Sequence, residues 1–389
     1  MTLSHPSSAL PRCLALIGSL LLGQAQALDC GTFNFPMCSK ALSQPAQFAG
    51  GFVPPAPFGG FGGGEACQNQ ITHTPVVLVH GNGDSAIGWD SPAPARAGKP
   101  QRPSVFEELK ARGYNDCEVF GVTYLDPAQQ EQEFSHTASN FHQPKKYAVI
   151  WQFIQAVKAY TGSPKVDIVG HSLGVSMTLA ALDYYSDAKY GQDDNAWASV
   201  RRFVNIAGGI HGLNSCVWGI YAASTCQAER SGQAGAFYEF GFYPDFPWWG
   251  GLNRWTAVQG EHSLRRAPLR HPEVSFYTLS AGQQDDIHCP LTLSAVAVPV
   301  KCSTGPLFEP AANVRAQLNL GAEPAPTPPP WVAYVDQDFK TLVPRDLGGV
   351  GHFGARNCAG PIISRMLTTD CQGAACKGTY VGKVQLAKP

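Results

Sequence analysis

Charge is what this chain has least of. Asp, Glu, Lys and Arg make up 15% of its 389 residues and nearly cancel, leaving a formal net charge of −1, where ordinary soluble domains carry about 25% charged residues. No basic stripe is present to neutralise phosphates, so nucleic acid is excluded as a partner. Long apolar runs are missing too. No segment approaches the roughly 18 uninterrupted apolar residues of a membrane span, so no membrane association is expected. There is no C-x-x-C pair and no Cys/His repeat, which argues against structural zinc; no metal or other cofactor is expected. The chain has neither an internal repeat nor a clean linker.

What is present begins with an export signal. Arg12 precedes the apolar stretch Cys13–Gly23, and Ala25-Gln26-Ala27 offers small residues for cleavage. The pattern predicts a secretory signal peptide over 1–27, with the mature protein, 28–389, forming one domain of a secreted, monomeric product. The competing lipoprotein anchor at Cys30 is disfavoured by the acidic Asp29 before it. Twelve cysteines suit an oxidising compartment. Close neighbours suggest pairs Cys30–Cys38, Cys216–Cys226, Cys289–Cys302 and Cys371–Cys376, and Cys67 could join Cys117 over a longer loop. Cys13 leaves with the signal peptide, so eleven cysteines remain and Cys358 is left over, although spacing alone proves no pairing.

The most informative motif is Gly170-His171-Ser172-Leu173-Gly174, directly after the apolar run Val166–Val169. G-x-S-x-G at the end of a strand is a nucleophile elbow: a sharp strand-to-helix turn exposes the Ser172 hydroxyl, and the small flanking residues let strand and helix approach closely. Val175–Leu182 continues the motif as a helix. Other expected strands are Thr74–His80, Cys117–Tyr124, Val200–Ile206 and Val274–Leu279. Expected helices are Ser104–Arg112, Lys145–Tyr160, with Tyr147, Ile150, Trp151, Ile154 and Val157 on its apolar face, and Pro361–Leu367. Strands alternating with helices imply βαβ units and an α/β fold, with a mostly parallel sheet flanked by helices. The Gly/Phe-rich stretch 50–64 and the Pro-rich stretch 324–330 read as surface loops.

In an α/β-hydrolase the triad partners follow the nucleophile in the order Ser, acid, His. Asp285, in the loop after the strand Val274–Leu279, is the preferred acid, and Asp286 is its rival. His352, in the Gly-rich loop Gly348–Phe353, is the preferred base. His288 lies too near Asp285 in sequence, while His211, His262 and His271 precede the acid and read as surface or pocket residues. Ser172 would attack the carbonyl carbon, His352 would carry the proton, and Asp285 would fix the tautomer of His352. For the oxyanion hole the backbone N–H groups of Leu173 and Asn82 are expected, the latter in the turn His80-Gly81-Asn82-Gly83-Asp84.

Several longer stretches carry a resemblance: Gly59–Gly64, His80–Asp84, Glu108–Cys117, Ser275–Gly282 and Gly349–Phe353. Together they resemble the extracellular poly(3-hydroxybutyrate) depolymerases that attack amorphous, native-type polymer. The resemblance implies an α/β-hydrolase without a separate polymer-binding domain, with Ser172, Asp285 and His352 on the triad positions and an insoluble polyester as the partner. A triacylglycerol lipase or general carboxylesterase is the alternative. A catalytically silent surface-binding protein on the same fold is a third reading. The insertion between Ile206 and Val274 is dense in aromatics. Tyr243, Trp248 and Trp249 there are candidates for polymer contact, against the competing reading that the rings form a satellite core.

Overall fold

The computed structural model describes residues 47–55, 57–90, 103–130, 140–188, 194–211, 263–282, 285, 288, 305–320, 352–357, 359–380 and 384–387. The expected signal peptide, the aromatic insertion with Tyr243, Trp248 and Trp249, the Pro-rich stretch, Asp286, His262, Cys358 and three of the expected disulfides fall outside them.

Four consecutive aliphatic residues, Val76–Val79, form β3, and all four are buried. A strand without polar alternation belongs in a parallel sheet covered on both faces, and that is its place. The sheet runs β1 (Gln47–Phe48), β2 (Gly60–Gly62), β4 (Val119–Val122), β3, β5 (Val166–His171), β6 (Val200–Ile206), β7 (Ser275–Ser280), β8 (Val314–Leu320), β9 (Val384–Leu386). Its pairings are parallel except β2 with β4 and β8 with β9. A parallel core from β4 to β8 with reversed strands only at the edges, β1 and β2 on one side and β9 on the other, and the β4-β3-β5 crossover is the sheet of an α/β-hydrolase.

Period-two alternation sends Val77, Val79 and Ile168 to one face and Val76, Leu78 and Val169 to the other. The first face is covered by α2 (Pro144–Thr161) and α3 (Leu173–Tyr184), through Ile150, Ile154, Val157 and Leu179. The second is covered by α1 (Val105–Ala111) and α5 (Gly360–Thr368), through Leu109, Ile362, Ile363 and Met366. Helix α1 starts at a capping box. The Ser104 hydroxyl accepts the Glu107 N–H at 3.0 Å, and the Glu107 carboxylate accepts the Ser104 N–H at 2.7 Å. The five residues predicted for the apolar face of α2 are all buried.

Three expectations need correction. Stretch 50–64 is not merely a surface loop: β2 pairs antiparallel with β4, and Phe52 and Phe61 are buried against Phe120 and Phe106. Aromatic burial outweighs the loop-like composition. The sequence reading missed β8 and β9. His352 does not sit in a loop either; it opens the six-residue helix α4 (His352–Asn357). Two expected disulfides are formed, Cys67–Cys117 and Cys371–Cys376. Among the described residues no helix is long and apolar enough to cross a membrane.

Candidate active site

Ser172 stands between β5 and α3 with φ 53° and ψ −124°. A non-glycine residue held there costs about 1–3 kcal/mol, so the surroundings must enforce it. The Ser172 N–H donates to the Ile206 carbonyl at 2.9 Å, and the Ser172 carbonyl accepts the Val175 N–H at 3.1 Å. The two glycines provide the expected room. A Cβ on Gly170 would lie 3.0 Å from Val175 Cα, and one on Gly174 would lie 2.2 Å from the His80 carbonyl oxygen. Leu173 is the first residue of α3, so its N–H is among those with no intrahelical acceptor, at the positive end of the helix dipole.

The loop after β3 is fixed by His80. Its Nδ1–H donates to the Gly81 carbonyl at 2.8 Å, its Nε2 accepts the Tyr124 N–H at 3.3 Å, and its ring stacks on Tyr124 at 4.5 Å. Burial drives its pKa down to about 3, so the ring stays neutral in this tautomer. Because C=O and N–H are antiparallel across a trans peptide, pinning the Gly81 oxygen turns the Asn82 N–H away from His80. The Asn82 side chain is engaged elsewhere, its Oδ1 accepting from Asn140 Nδ2 at 2.6 Å.

Asp285 and His352 meet across the sheet. His352 Nδ1–H donates to both carboxylate oxygens of Asp285, at 3.1 and 3.0 Å, and each residue is 1% exposed. Burial pushes the Asp285 pKa up, but His352, His288 and the hydrogen bonds from both residues outweigh it and hold the carboxyl below its usual range. An ionised carboxylate only accepts, so the proton sits on Nδ1 and His352 Nε2 is left as the basic nitrogen. His352 packs against the elbow: its ring centroid lies 4.8 Å from that of His171, and its carbonyl accepts from His171 Nε2–H at 3.0 Å. The residue beside Ser172 thus touches the residue that grips Asp285. Among the described residues no hydrogen bond joins the Ser172 hydroxyl to His352. Such contacts are often long before substrate binds.

His288, set aside by the sequence reading, belongs to this cluster. Its backbone N–H donates to Asp285 Oδ1 at 3.0 Å, and its Nε2–H donates to the Ala207 carbonyl at 3.0 Å. Ala207 carries φ 49° immediately after the β6 residue that holds the Ser172 N–H. His288 therefore ties the acid loop to the turn supporting the elbow. Burial lowers its pKa, against the pull of Asp285. Asp285, His288 and His352 offer ligand atoms within 4.8 Å of one another and are the residues that could hold a metal ion. An ion there would have to displace the Nδ1 proton of His352 and the Nε2 proton of His288, both already spent on protein acceptors.

His211 and His271, read as surface or pocket residues, are only part-exposed: His211 Nε2 bonds the Leu307 carbonyl at 2.7 Å, and His271 stacks on Trp197 at 4.1 Å. Sequence reasoning also passed over His171, inside the quoted motif, and Arg356, one helical turn after His352. An arginine at that spacing was the available signal.

The class 2 lipase family model matches residues 73–234, a span holding β3, β5, β6 and Ser172 but neither Asp285 nor His352. Among solved structures the chain is similar to Aspergillus fumigatus lipase B, at 17% identity and TM-score 0.44, over 79% of this chain and 55% of that one; it spans about half the length of that relative. It is also similar to the mature form of Bacillus licheniformis lipase BlEst2, at 16% identity and TM-score 0.41, over 81% of this chain and 100% of that one. A third is carboxylesterase CesB from Bacillus subtilis, at 13% identity and TM-score 0.30, over 64% and 77% of the two chains. The fold stands on the sheet order and the elbow themselves. They define an α/β-hydrolase fold, within which residues 73–234 resemble the class 2 lipases.

Proposed function

We propose that the chain is a secreted serine hydrolase cleaving ester bonds of poly(3-hydroxybutyrate) through an acyl-enzyme on Ser172. The observation that carries the ester-hydrolase part is the buried Asp285–His352 pair lodged against the elbow, with the Asp285-facing nitrogen of His352 protonated. Ser172 Oγ attacks the ester carbonyl carbon as His352 Nε2 takes its proton; the N–H groups of Leu173 and Asn82 bind the oxyanion. The same proton passes to the leaving hydroxyl. Water, deprotonated by His352, then releases the acid. Asp285 stabilises the imidazolium in both halves.

The polymer preference rests on the resemblance of the five stretches quoted above, which run through most of 28–389. Polymer contact through Tyr243, Trp248 and Trp249, the signal peptide over 1–27, a single catalytic domain and a monomeric state belong to the same proposal. Export is in keeping with the disulfides Cys67–Cys117 and Cys371–Cys376. One observation favours a second reading, triacylglycerol lipase or general carboxylesterase: the class 2 lipase match. Reaction of Ser172 with a fluorophosphonate, followed by product analysis on amorphous polyhydroxybutyrate beside emulsified triglyceride, separates them. Hydroxybutyrate oligomers from the first and no fatty acid from the second support the depolymerase. The reverse supports the lipase, and a Ser172 inert to the phosphonate overturns both.

A further inference from the structure

Arg356 lies one turn after His352 on α4, buried at 1% exposure, and its Nη1–H donates to Asp84 Oδ2 at 2.5 Å. Asp84 is fully buried in the loop after β3, where its other oxygen accepts the Ser85 N–H at 2.5 Å. The guanidinium is enclosed by the rings of Trp89, at 5.8 Å, and Phe353, at 5.4 Å. A buried ion pair is a weak source of stability, because desolvating two charges offsets most of their attraction. What it supplies is direction: a charged donor on one segment, its Nε–H itself held by Asn357 Oδ1 at 2.8 Å, and a carboxylate on another fix their relative placement.

His171 makes the second contact with the same helix. Its Nε2–H goes to the His352 carbonyl at 3.0 Å, while its Nδ1 is buried with no hydrogen-bond partner among the described residues. An orphaned buried polar atom is destabilising, a penalty that an apolar residue would avoid; the Nε2 contact is what the imidazole offers in exchange. The ring is also wedged against the loop carrying Asn82, since a Cβ on Gly81 would lie 2.9 Å from His171 Nδ1. With six residues, α4 is too short to hold a position by itself.

We propose that Asp84, Arg356 and His171 are positioning residues that clamp α4 between the elbow and the oxyanion loop, and so set where the His352 imidazole stands relative to Ser172 and the Asn82 N–H. The clamp rests on the roles proposed above for those three residues. Displacement of a reacting group by about 1 Å costs on the order of a hundredfold in rate, and that is the scale expected when the clamp opens.

The test uses the full-length enzyme and a soluble short-chain p-nitrophenyl ester. Asp84→Asn is expected to lower kcat about a hundredfold with KM within about threefold of the parent. Affinity for a phenylboronic acid, whose tetrahedral adduct on Ser172 needs the same base and oxyanion donors, should fall in parallel. Because Asp84 and Arg356 act through one contact, Asp84→Asn with Arg356→Met should lose no more than the worse single variant. A folded Asp84→Asn enzyme with parental kcat, or losses that multiply in the double variant, would overturn the clamp. Should Asp84→Asn not fold, Arg356→Gln, which removes the charged donor to Asp84, is read instead: a fall in kcat of about tenfold or more in folded protein supports the clamp, and no change overturns it. Ser172→Ala is measured alongside. If it retains activity, the proposed function fails and takes the clamp with it; if it is dead while Asp84→Asn is unimpaired, the clamp alone fails.

Discussion

Ser172 lies in a stretch where strand, turn and helix follow one another without a break from Val166 to Tyr184. Asp285, with His288 three residues on, and His352, 67 positions away, come from two segments and meet only in the folded chain, through hydrogen bonds of 3.0–3.1 Å. The first region is a local device. Its strained φ is enforced by close backbone packing, and the residues permitting it lie within two positions of the serine. The second is a long-range device held by polar contacts, each weak and directional, and it needs anchors such as the Ala207 turn. A locally encoded strain is hard to perturb without unfolding, whereas a polar relay can be detuned by one atom.

The comparison is broken most completely by removing the reacting groups. Ser172→Ala and His352→Ala should each lower kcat by about a million-fold, and Asp285→Asn by about ten-thousand-fold or less, because in the proposed mechanism nucleophile and base act as a unit while the acid orients. Steady-state kinetics on a soluble ester checks this. A mild Asp285→Asn would move the acid elsewhere, with Asp286 the first alternative.

That split also explains what could be read from the sequence. Gly170–Gly174 announces the elbow because the cause of the fold is local: a parallel strand needs an apolar run, and the turn needs small residues. Asp285 and His352 could be selected by chain order, but the helix that His352 opens was hidden under a Gly-rich approach. His288 was dismissed on sequence distance alone. Nothing local marks it, since its function depends on Ala207, 81 positions away. The Asp84–Arg356 pair spans 272 positions and is invisible to any periodicity. Stretch 50–64 misled for the opposite reason, its glycines concealing phenylalanines that pack.

Packing and polar failure should therefore look different in the two regions. Gly174→Val forces a branched side chain into the backbone of the β3 end and should cost at least about 3 kcal/mol, seen as loss of soluble protein or a large fall in Tm. His288→Phe leaves the Ala207 carbonyl without its donor and should cost about 1–3 kcal/mol and roughly tenfold in kcat, with the protein still folded. A Gly174→Val enzyme of parental Tm would show that the elbow is not set by packing. A His288→Phe enzyme of parental kcat would restrict His288 to structure.

The smallest effects at neutral pH lie in titration, and the loop after β3 contains two of opposite sign. His80 is depressed by burial from 6.5 to about 3. Its unfolded form takes up a proton near pH 6.5 while the folded form refuses it, so its contribution is present above that pH and is lost as pH falls toward 3. Asp84 is raised by burial from 3.8 to about 6, against the pull of Arg356. The folded chain takes that proton first, so acidification from about pH 6 to 4 adds stability through Asp84, which opposes the loss through His80. Burial also lowers the pKa of His142, His171, His211 and His288, which add to the His80 side, while Asp90 and Asp167, raised by burial, add to the Asp84 side. The histidines outnumber them, so the net expectation is a Tm that falls between pH 6.5 and 4. His80→Gln should flatten that fall, and Asp84→Asn should steepen it, whatever either does to Tm at neutral pH. Thermal melts at intervals across the window read both slopes. An unchanged slope in His80→Gln would mean that its ring reaches solvent and protonates in the folded state, and the fixed tautomer argued for the Gly81 carbonyl would fall with it.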